Sequence, residues 1–216
     1  MSDKVIKTCI FAFAVCILVI IGYYKITQPV ECGYHPDEEE PWLEITFQPY
    51  DDFTIEEAEK LKQNLIVKLN ETYGDFAPSI TIEQPKQLPE TSYYAPRKRY
   101  LADEILKDLW PDYNPGTDPT YIFGLTHKDI SYKIHGHENY GIQGLTSLGT
   151  HKSIVSDYRT KDLVAVMVHE FGHGYFGAKH CNDTKCIMCD FQKLKGKSYQ
   201  YKLCKKHKSL NCDNVE

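Results

Sequence analysis

The residues of this chain best suited to chemistry lie in the segment 168–181, VHEFGHGYFGAKHC. If the segment is helical, His169 and His173 stand one turn apart on the same face, so both imidazoles can bind one metal ion. Glu170 then lies beside the metal, where it can take a proton from a water molecule that the metal has acidified. This spacing predicts a catalytic zinc centre.

A third histidine, His180, follows closely. Gly174 and Gly177 weaken a helix beyond His173, and a sharp turn there can bring His180 back to the metal. Three protein ligands leave one position for water, which distinguishes a catalytic zinc site from a structural one. An HExxH also occurs by chance in helices whose histidines only pack. Here an apolar run, 162–168 (DLVAVMV), precedes it and cysteines follow it, which favours the metal.

A second candidate metal site lies in the lysine-rich segment 181–212. This segment is too poor in apolar residues to fold alone, so a cross-link must hold it. Two pairs separated by a loop form a plausible closed, structural zinc site: Cys181, Cys186, Cys204 and His207. Disulfides are the alternative in an oxidising compartment, and three further cysteines remain available for pairing: Cys32, Cys189 and Cys212. We favour zinc, although spacing alone does not decide between them.

The composition is that of an ordinary globular protein, with 216 residues, 42% hydrophobic and 25% charged. This length suffices for one domain with a sizeable core. The formal charge of -5 gives no reason to expect a nucleic-acid partner, which would need a concentrated basic surface. The lysines near the C-terminus fit a solvated rim around a metal-bound loop better than a nucleic-acid module.

The N-terminal segment is of a different kind. The run from Val5 to Tyr24 is almost wholly apolar, with lysines before it and acidic residues after it, so the positive-inside rule places the N-terminus in the cytoplasm. We predict a signal anchor or signal peptide over 1–25, and favour the anchor because 22–27 contains no A-x-A-like cleavage site. A linker, 26–41, and a domain, 42–216, would then lie outside the cytoplasm.

The elements that must position the zinc helix follow an α/β order. The predicted elements are a strand at 43–47, a helix from a capping box at Thr54 and Glu57 to about Tyr73, a strand at 79–83, a helix at 100–110, strands at 121–126, 140–149 and 153–158, and the zinc helix at 160–175. This order predicts a single α/β domain with a mixed twisted sheet. The metal should lie below the sheet, in a cleft whose upper edge is a strand able to pair with an extended peptide.

The segment 127–140 looks irregular and contains His127, His135 and His137. Their spacing fits no known metal site, so we interpret them as surface histidines and keep a secondary cation site as the alternative.

The segment from His169 to Met188 resembles the archaemetzincins, a branch of the metzincin zinc peptidases. It combines HExxH with a third histidine followed at once by a cysteine, and then a further cysteine and a methionine. Residues 204–207 (CKKH) stand where that family has a CxxC pair. The similarity extends upstream through three more segments: 93–100, 124–130 and 153–156.

The resemblance implies a metzincin-like fold and a role for each site residue. His169, His173 and His180 would bind the catalytic zinc, with Glu170 as general base. Met188 would be the Met-turn residue, an apolar floor beneath the zinc. The second zinc would be held by Cys181, Cys186, Cys204 and, in place of the family's last cysteine, His207.

Two features depart from the family pattern HExxHxxGxxH. One extra residue separates His173 from His180, and the glycine is displaced to Gly177, so whether His180 reaches the metal is open. Cys189 directly follows the methionine, and its thiolate is a rival to His207 as the fourth ligand of the second site.

We therefore expect a membrane-anchored or secreted zinc peptidase with one catalytic and one structural zinc ion and a peptide or protein substrate. Glu170 would deprotonate the attacking water and pass the proton to the leaving amine. The alternative is a catalytically inactive, zinc-stabilised binding protein on the same fold. The altered spacing before His180 motivates this alternative, and the intact Glu170 argues against it. The residues do not distinguish exopeptidase from endopeptidase action.

Overall fold

The computed structural model describes residues 43–74, 78–109, 120–134, 136–148 and 150–211. In chain order the elements are β1 (Glu44–Pro49), α1 (Ile55–Tyr73), β2 (Ser79–Ile82), β3 (Tyr93–Tyr94), β4 (Arg99–Leu101), α2 (Ala102–Asp108), β5 (Tyr121–Thr126), β6 (Ile130–Ile134), β7 (His137–Ile142), β8 (Gly144–Ser147), β9 (Lys152–Ser156), α3 (Leu163–Gly174) and α4 (Phe191–Leu194). The linker 26–41 and the residues Cys32, His135 and Cys212 lie outside these ranges.

The larger of two sheets has the strand order β2-β1-β5-β9-β8. The first four strands run parallel to their neighbours, whereas β8 runs antiparallel to β9 and forms an edge. Every residue of β5 is buried. Tyr121 and Phe123 pack on one face of the sheet and Ile122 on the other, because successive side chains of a strand point to opposite faces. The sheet is therefore mixed, as the sequence predicts.

Helices cover both faces of this sheet. On one face, α1 and α3 pack on the sheet and on each other, and the hydroxyl of Tyr73 at the end of α1 donates to the carbonyl of Val168 in α3 at 3.0 Å. On the other face lies the short α2. The start of α1 is fixed by the expected capping box, in which Thr54 Oγ1 accepts from the backbone N–H of Glu57 at 3.2 Å. The helix α3, which carries His169 and His173, thus packs beside α1 on the same face of the sheet.

A second sheet departs from the sequence prediction. The sequence predicts an irregular segment over 127–140, but β6 and β7 form an antiparallel hairpin in a sheet of order β3-β4-β6-β7. The predicted helix at 100–110 begins two residues later because β4 ends at Leu101, and the predicted strand at 140–149 divides at Gln143 into β7 and β8. In β6, Ile130, Tyr132 and Ile134 alternate with Ser131 and Lys133, a strand pattern that the prediction overlooked. The partner strand β7 (HENYGI) has no such alternation, so only its pairing with β6 reveals it.

A partly buried charge cluster links the two sheets. The Asp129 carboxylate, 11% exposed, accepts from Arg99 Nε of β4 at 2.8 Å and from Arg159, just after β9, through Nε and Nη2 at 2.7 Å each. Burial alone would favour the neutral acid, but the hydrogen bonds from Arg159 and Arg99 hold the pKa of Asp129 below its usual range. Asp129 is therefore charged at neutral pH and ties both arginines in place.

The prediction of a membrane anchor requires correction. Within the described ranges no helix is long and apolar enough to cross a membrane. The apolar helix α3 has 12 residues, whereas a bilayer needs about 20, and the longer α1 has a charged face. On this finding the predictions of membrane association and of a membrane-anchored or secreted location are wrong. The segment from Val5 to Tyr24 lies outside the described residues.

Asp129→Asn should lower the free energy of unfolding by about 2 kcal/mol at neutral pH, since both guanidinium groups lose a charged partner. Because the pKa of Asp129 is lower in the folded than in the unfolded chain, this stabilisation is present above the unfolded value of about 3.9 and is lost as pH falls through the folded value. Urea denaturation of both proteins at neutral pH and at roughly pH 3 measures the difference.

The matched control is Asp52→Asn, because Asp52 pairs with Lys128 at 3.0 Å but is 63% exposed. Solvent screens such a pair, so we expect a loss below about 0.5 kcal/mol. Equal losses in the two variants would contradict a special role for Asp129.

Candidate active site

The helix α3 supplies the first residues of the site. It begins at an N-cap, Asp162, whose carboxylate accepts from the backbone N–H of Ala165 at 3.0 Å, and it is buried along almost its whole length. His169 and Glu170 are buried, and His173 is half-buried at the mouth of a cleft. The four-residue spacing places both histidines on the same side of the helix, as the sequence predicts.

Three imidazole nitrogens meet at one point. The Nε2 atoms of His169 and His173 lie 3.1 Å apart, those of His169 and His180 3.1 Å, and those of His173 and His180 2.9 Å. Ligand nitrogens about 2 Å from a tetrahedral zinc lie about 3.3 Å apart, so this spacing is close to that of three zinc ligands. The donor set and its geometry fit zinc.

Backbone carbonyls orient two of these rings. His169 Nδ1 donates to the carbonyl of Ile187 at 2.7 Å, and His173 Nδ1 donates to the carbonyl of Ala178 at 2.6 Å. With the proton on Nδ1, the lone pair of Nε2 faces the common point. Burial lowers the pKa of His169, His173 and His180, which keeps the rings neutral and available to a metal.

The extra residue before His180 is absorbed where the helix ends. The helix stops at Gly174, and Gly177 has a φ of 62°, in the left-handed region that glycine adopts without strain. The backbone N–H of Ala178 then donates to the carbonyl of Gly172 at 3.0 Å, which closes a wide turn. This turn carries the chain back far enough for His180 to face the other two histidines.

Close packing beneath α3 depends on glycine. A Cβ atom at Gly172 would collide with Met188 Sδ and the hydroxyl of Tyr73, and one at Gly174 would collide with the ring of Tyr121. Met188 is fully buried, and its sulfur lies 3.4 Å from the hydroxyl of Tyr73. Met188 therefore packs directly against the helix that bears the histidines, where the resemblance places an apolar floor.

The carboxylate of Glu170 lies against the edge strand β8. A Cβ atom at Gly144 would stand 2.7 Å from Glu170 Oε1, so only glycine admits the carboxylate there. Thr146 Oγ1 lies 2.5 Å from Glu170 Oε2 and 2.8 Å from Ser153 Oγ, which in turn lies 2.6 Å from the hydroxyl of Tyr121. Burial raises the pKa of Glu170 to about 7, against the opposing effect of the Thr146 hydrogen bond.

The sequence did not reveal Gly144 and Thr146 as site residues. They are distant from Glu170 along the chain, and their strand was predicted only as part of a longer segment. The prediction of an edge strand above the cleft was the nearest signal.

The histidines open into a cleft of about 280 Å³. Its walls are largely apolar, and the ring of Tyr199 packs against His169 with centroids 4.9 Å apart. Apolar residues of several elements line the cleft: Ile134, Tyr140, Ile142, Leu145, Leu148, Val166 and Phe191. The cleft runs along the edge strand β8, of which Gly144, Leu145 and Thr146 line it.

The second predicted cluster also comes together. Its four ligand atoms all lie within 4.8 Å of one another, and the cluster consists of Cys181, Cys186, Cys204 and His207. In a tetrahedral zinc site with sulfur at about 2.3 Å, the ligand atoms lie about 3.5 to 3.8 Å apart. His207 Nδ1 is close to this range, 3.4 Å from Cys186 Sγ and 3.5 Å from Cys204 Sγ, whereas the sulfurs of Cys181 and Cys204 are slightly farther apart, at 4.0 Å. The types of ligand, three thiols and one imidazole, are those of a structural zinc site.

Among the described cysteines, Cys181, Cys186, Cys189 and Cys204, neither rival arrangement is present. The sulfurs of Cys181 and Cys204 lie 4.0 Å apart, whereas a disulfide requires about 2.05 Å. Cys189 lies outside the cluster, with its sulfur 3.5 Å from the carbonyl of Asp190.

The histidines of the 127–140 segment form no metal cluster within the described residues. His127 bonds Asp157 at 2.8 Å and Glu57 at 3.3 Å. Burial opposes its charged form, but hydrogen bonds to these two carboxylates raise the pKa of His127. His137 is exposed on β7, and His135 is outside the described residues.

We expect the purified protein to bind two zinc ions per chain. His180→Ala should remove one, and Cys204→Ala should remove the other, because each site loses a ligand while the second remains intact. Elemental analysis after dialysis measures the stoichiometry, with His127→Ala as the control that keeps both ions. Retention of both ions in His180→Ala would contradict its assignment as a ligand.

The chain was compared with known proteins. No family model matches it. It is 27% identical over 133 residues to an archaemetzincin of Haloquadratum walsbyi, a match that covers 53% of this chain and 72% of that protein.

Solved structures share the fold. An archaemetzincin from Archaeoglobus fulgidus, complexed with malonate, has a TM-score of 0.58 at 23% identity, over 77% of this chain and 99% of that one. An archaemetzincin from Methanopyrus kandleri has a TM-score of 0.60 at 19% identity, over 76% and 90%. A zinc-dependent peptidase from Methanocorpusculum labreanum has a TM-score of 0.53 at 17% identity, over 78% and 100%.

The resemblance that the motif predicts is therefore confirmed: the chain is archaemetzincin-like, and its mixed α/β fold is that of archaemetzincin structures.

Proposed function

We propose that this chain is a zinc-dependent peptidase that hydrolyses peptide bonds. The observation that carries the proposal is the meeting of three histidine Nε2 atoms within 3.1 Å of one another, with a buried glutamate beside them in an open cleft. The likeness to archaemetzincins and to a zinc-dependent peptidase supports the same reaction class. The residues proposed to bind the catalytic zinc are His169, His173 and His180.

Zinc at this point would supply Lewis-acid chemistry, acidifying a water molecule and polarising the peptide carbonyl. Residues of the protein would orient the metal ligands. His169 and His173 are held in one orientation by the carbonyls of Ile187 and Ala178, so the site does not have to reorganise during the reaction.

Glu170 is the proposed general base. Its carboxylate is fixed between Gly144 and the hydroxyl of Thr146, on the side of the histidines that faces the cleft. From there it accepts a proton from the attacking water and delivers that proton to the nitrogen of the leaving amine. Its low solvent exposure, 7%, keeps bulk water from competing for the proton.

The edge strand β8 is the proposed contact for substrate. Among the described residues it pairs only with β9, so its other edge can accept an extended peptide. Three of its residues, Gly144, Leu145 and Thr146, line the cleft. A peptide held there would lie across the point where the histidines meet. The substrate class that follows is a peptide or protein segment in extended conformation.

The cysteine cluster is proposed to hold a structural zinc that supports this site. The cluster lies on the segment that also carries Ile187 and Met188, and the backbone N–H of Cys181 donates to the carbonyl of Met188 at 2.9 Å. Ile187 in turn donates its N–H to the carbonyl of Lys202 at 2.7 Å. A metal here would therefore fix the carbonyl that orients His169.

Glu170→Gln should reduce zinc-dependent peptide cleavage by at least about 1000-fold while zinc content is unchanged, because the amide cannot accept the proton. Cleavage of a mixed peptide library, followed by mass spectrometry, measures this, with the exposed Glu71→Gln as control. Zinc-dependent cleavage that survives in Glu170→Gln would contradict the mechanism. No cleavage by any of the three proteins would favour a zinc-stabilised binding protein.

Thr146→Val should lower kcat roughly tenfold with little change in KM, since it removes a hydrogen bond to the Glu170 carboxylate but keeps the side-chain volume. Thr146→Ser keeps the hydroxyl and should retain most of kcat. Steady-state kinetics on one cleaved peptide measures both. Equal losses in the two variants would show that Thr146 acts through packing rather than through its hydroxyl.

A further inference from the structure

A second cavity, of about 360 Å³, adjoins the cleft into which the three histidines open. The residues 140–143 and Phe191 line both cavities, so the two meet along the end of β7. The remaining lining residues of the second cavity are all arginines: Arg97, Arg99 and Arg159. We call this cavity the arginine pocket.

The arginine pocket carries excess positive charge. Asp129 pairs with both Arg99 and Arg159, so one carboxylate meets two guanidinium groups. Among the described residues, none that lines the pocket is acidic, and none forms an ion pair with Arg97. Arg97 is the last residue of a 3₁₀ turn, 95–97, and is exposed. Two of the three positive charges are therefore left for a ligand.

Contacts within the protein orient two of the three arginines of the pocket. A Cβ atom at Gly141 would stand 2.5 Å from Arg159 Cζ and 2.6 Å from Arg159 Nε, so the guanidinium lies flat against the backbone of β7. Gln143 Nε2 donates to the carbonyl of Arg159 at 2.9 Å, and Arg99 Nη1 donates to the carbonyl of Asn139 at 2.8 Å. Two arginines are thus oriented by several bonds each, which reduces the entropy lost on binding.

The distance to the reacting centre corresponds to a short stretch of peptide. Gly144 touches Glu170 and Gly141 touches Arg159, and three residues of extended chain span about 10 Å. A substrate paired with β8 would therefore reach the arginine pocket about three residues from the bond that is cut. Because antiparallel pairing is the commoner arrangement, that end is the C-terminal side of the substrate.

We propose that the arginine pocket binds a carboxylate of the peptide substrate, about three residues to the C-terminal side of the cleaved bond. This inference rests on the proposed peptidase function and adds a substrate class to it. Guanidinium groups match carboxylates in charge and in planar geometry. The carboxylate comes either from an aspartate or glutamate side chain or from a free C-terminus, and the latter would favour peptides that end there.

The test measures binding separately from cleavage. In the zinc-loaded Glu170→Gln protein, fluorescence anisotropy gives the affinity of labelled peptides that carry Glu or Gln at the second to fourth position after the cleaved bond, each with a free or an amidated C-terminus. We expect the peptide with a carboxylate to bind roughly tenfold more tightly than its neutral counterpart at low salt. A difference between the Glu and Gln peptides identifies a side-chain carboxylate as the ligand. A difference between the free and amidated peptides identifies the C-terminal carboxylate.

Arg97→Gln should reduce that preference to below about twofold. The matched control is Lys98→Gln, which removes the same charge one residue away, at a position that does not line the pocket. Both residues are exposed, so neither change should alter the melting temperature. Loss of the preference in Arg97→Gln and its retention in Lys98→Gln support the proposal.

Three outcomes would overturn it. The preference could be absent in the parent protein, equally reduced by Lys98→Gln, or unchanged by Arg97→Gln. Zinc-dependent cleavage without any carboxylate preference overturns the pocket and leaves the peptidase standing. Carboxylate binding that depends on Arg97, without cleavage by the protein that retains Glu170, overturns the peptidase and leaves the pocket standing.

Discussion

The architecture of the site depends on the convergence of three imidazole nitrogens in a partly buried place. Their separations, 2.9 to 3.1 Å, bring three lone pairs together, an arrangement that a cation stabilises. Two of the rings are fixed by carbonyls that belong to different parts of the chain, Ile187 and Ala178. The helix α3, the turn after it and the cysteine segment must therefore all be in place before the nitrogens can meet.

The position of α3 also depends on close packing against residues of the core. Gly172 and Gly174 let Met188 and Tyr121 approach the helix more closely than any side chain would allow. Tyr73, at the end of α1, donates to the carbonyl of Val168 and contacts Met188, so α1 also supports α3. The glycines of the HEFGHG segment thus serve packing, whereas its histidines and glutamate form the proposed active site.

The strands β7 and β8 connect the two sheets, and residues of both line the cleft. The chain passes from one sheet to the other at Gln143, and this residue lines both the cleft at the three histidines and the arginine pocket. Gly141 admits the guanidinium of Arg159, and Gly144 admits the carboxylate of Glu170. One short segment therefore sets both the position of the proposed base and the charge of the adjoining pocket.

The sequence alone determined the groups that depend on local spacing. The histidine pair on one helical face, the glutamate beside it and the second cluster of cysteines and histidine were predicted from spacing, and the structure brings both sets of possible metal ligands together. The motif also identified the archaemetzincin likeness. The predicted membrane association was wrong, as was the irregular segment at 127–140. Only the tertiary structure decided that His180 reaches the other histidines, that Gly144 and Thr146 hold Glu170, and that three arginines share a pocket. These contacts join residues that are distant in sequence or separated by an unusual turn, and strand pairing and close packing, rather than periodicity, bring them together.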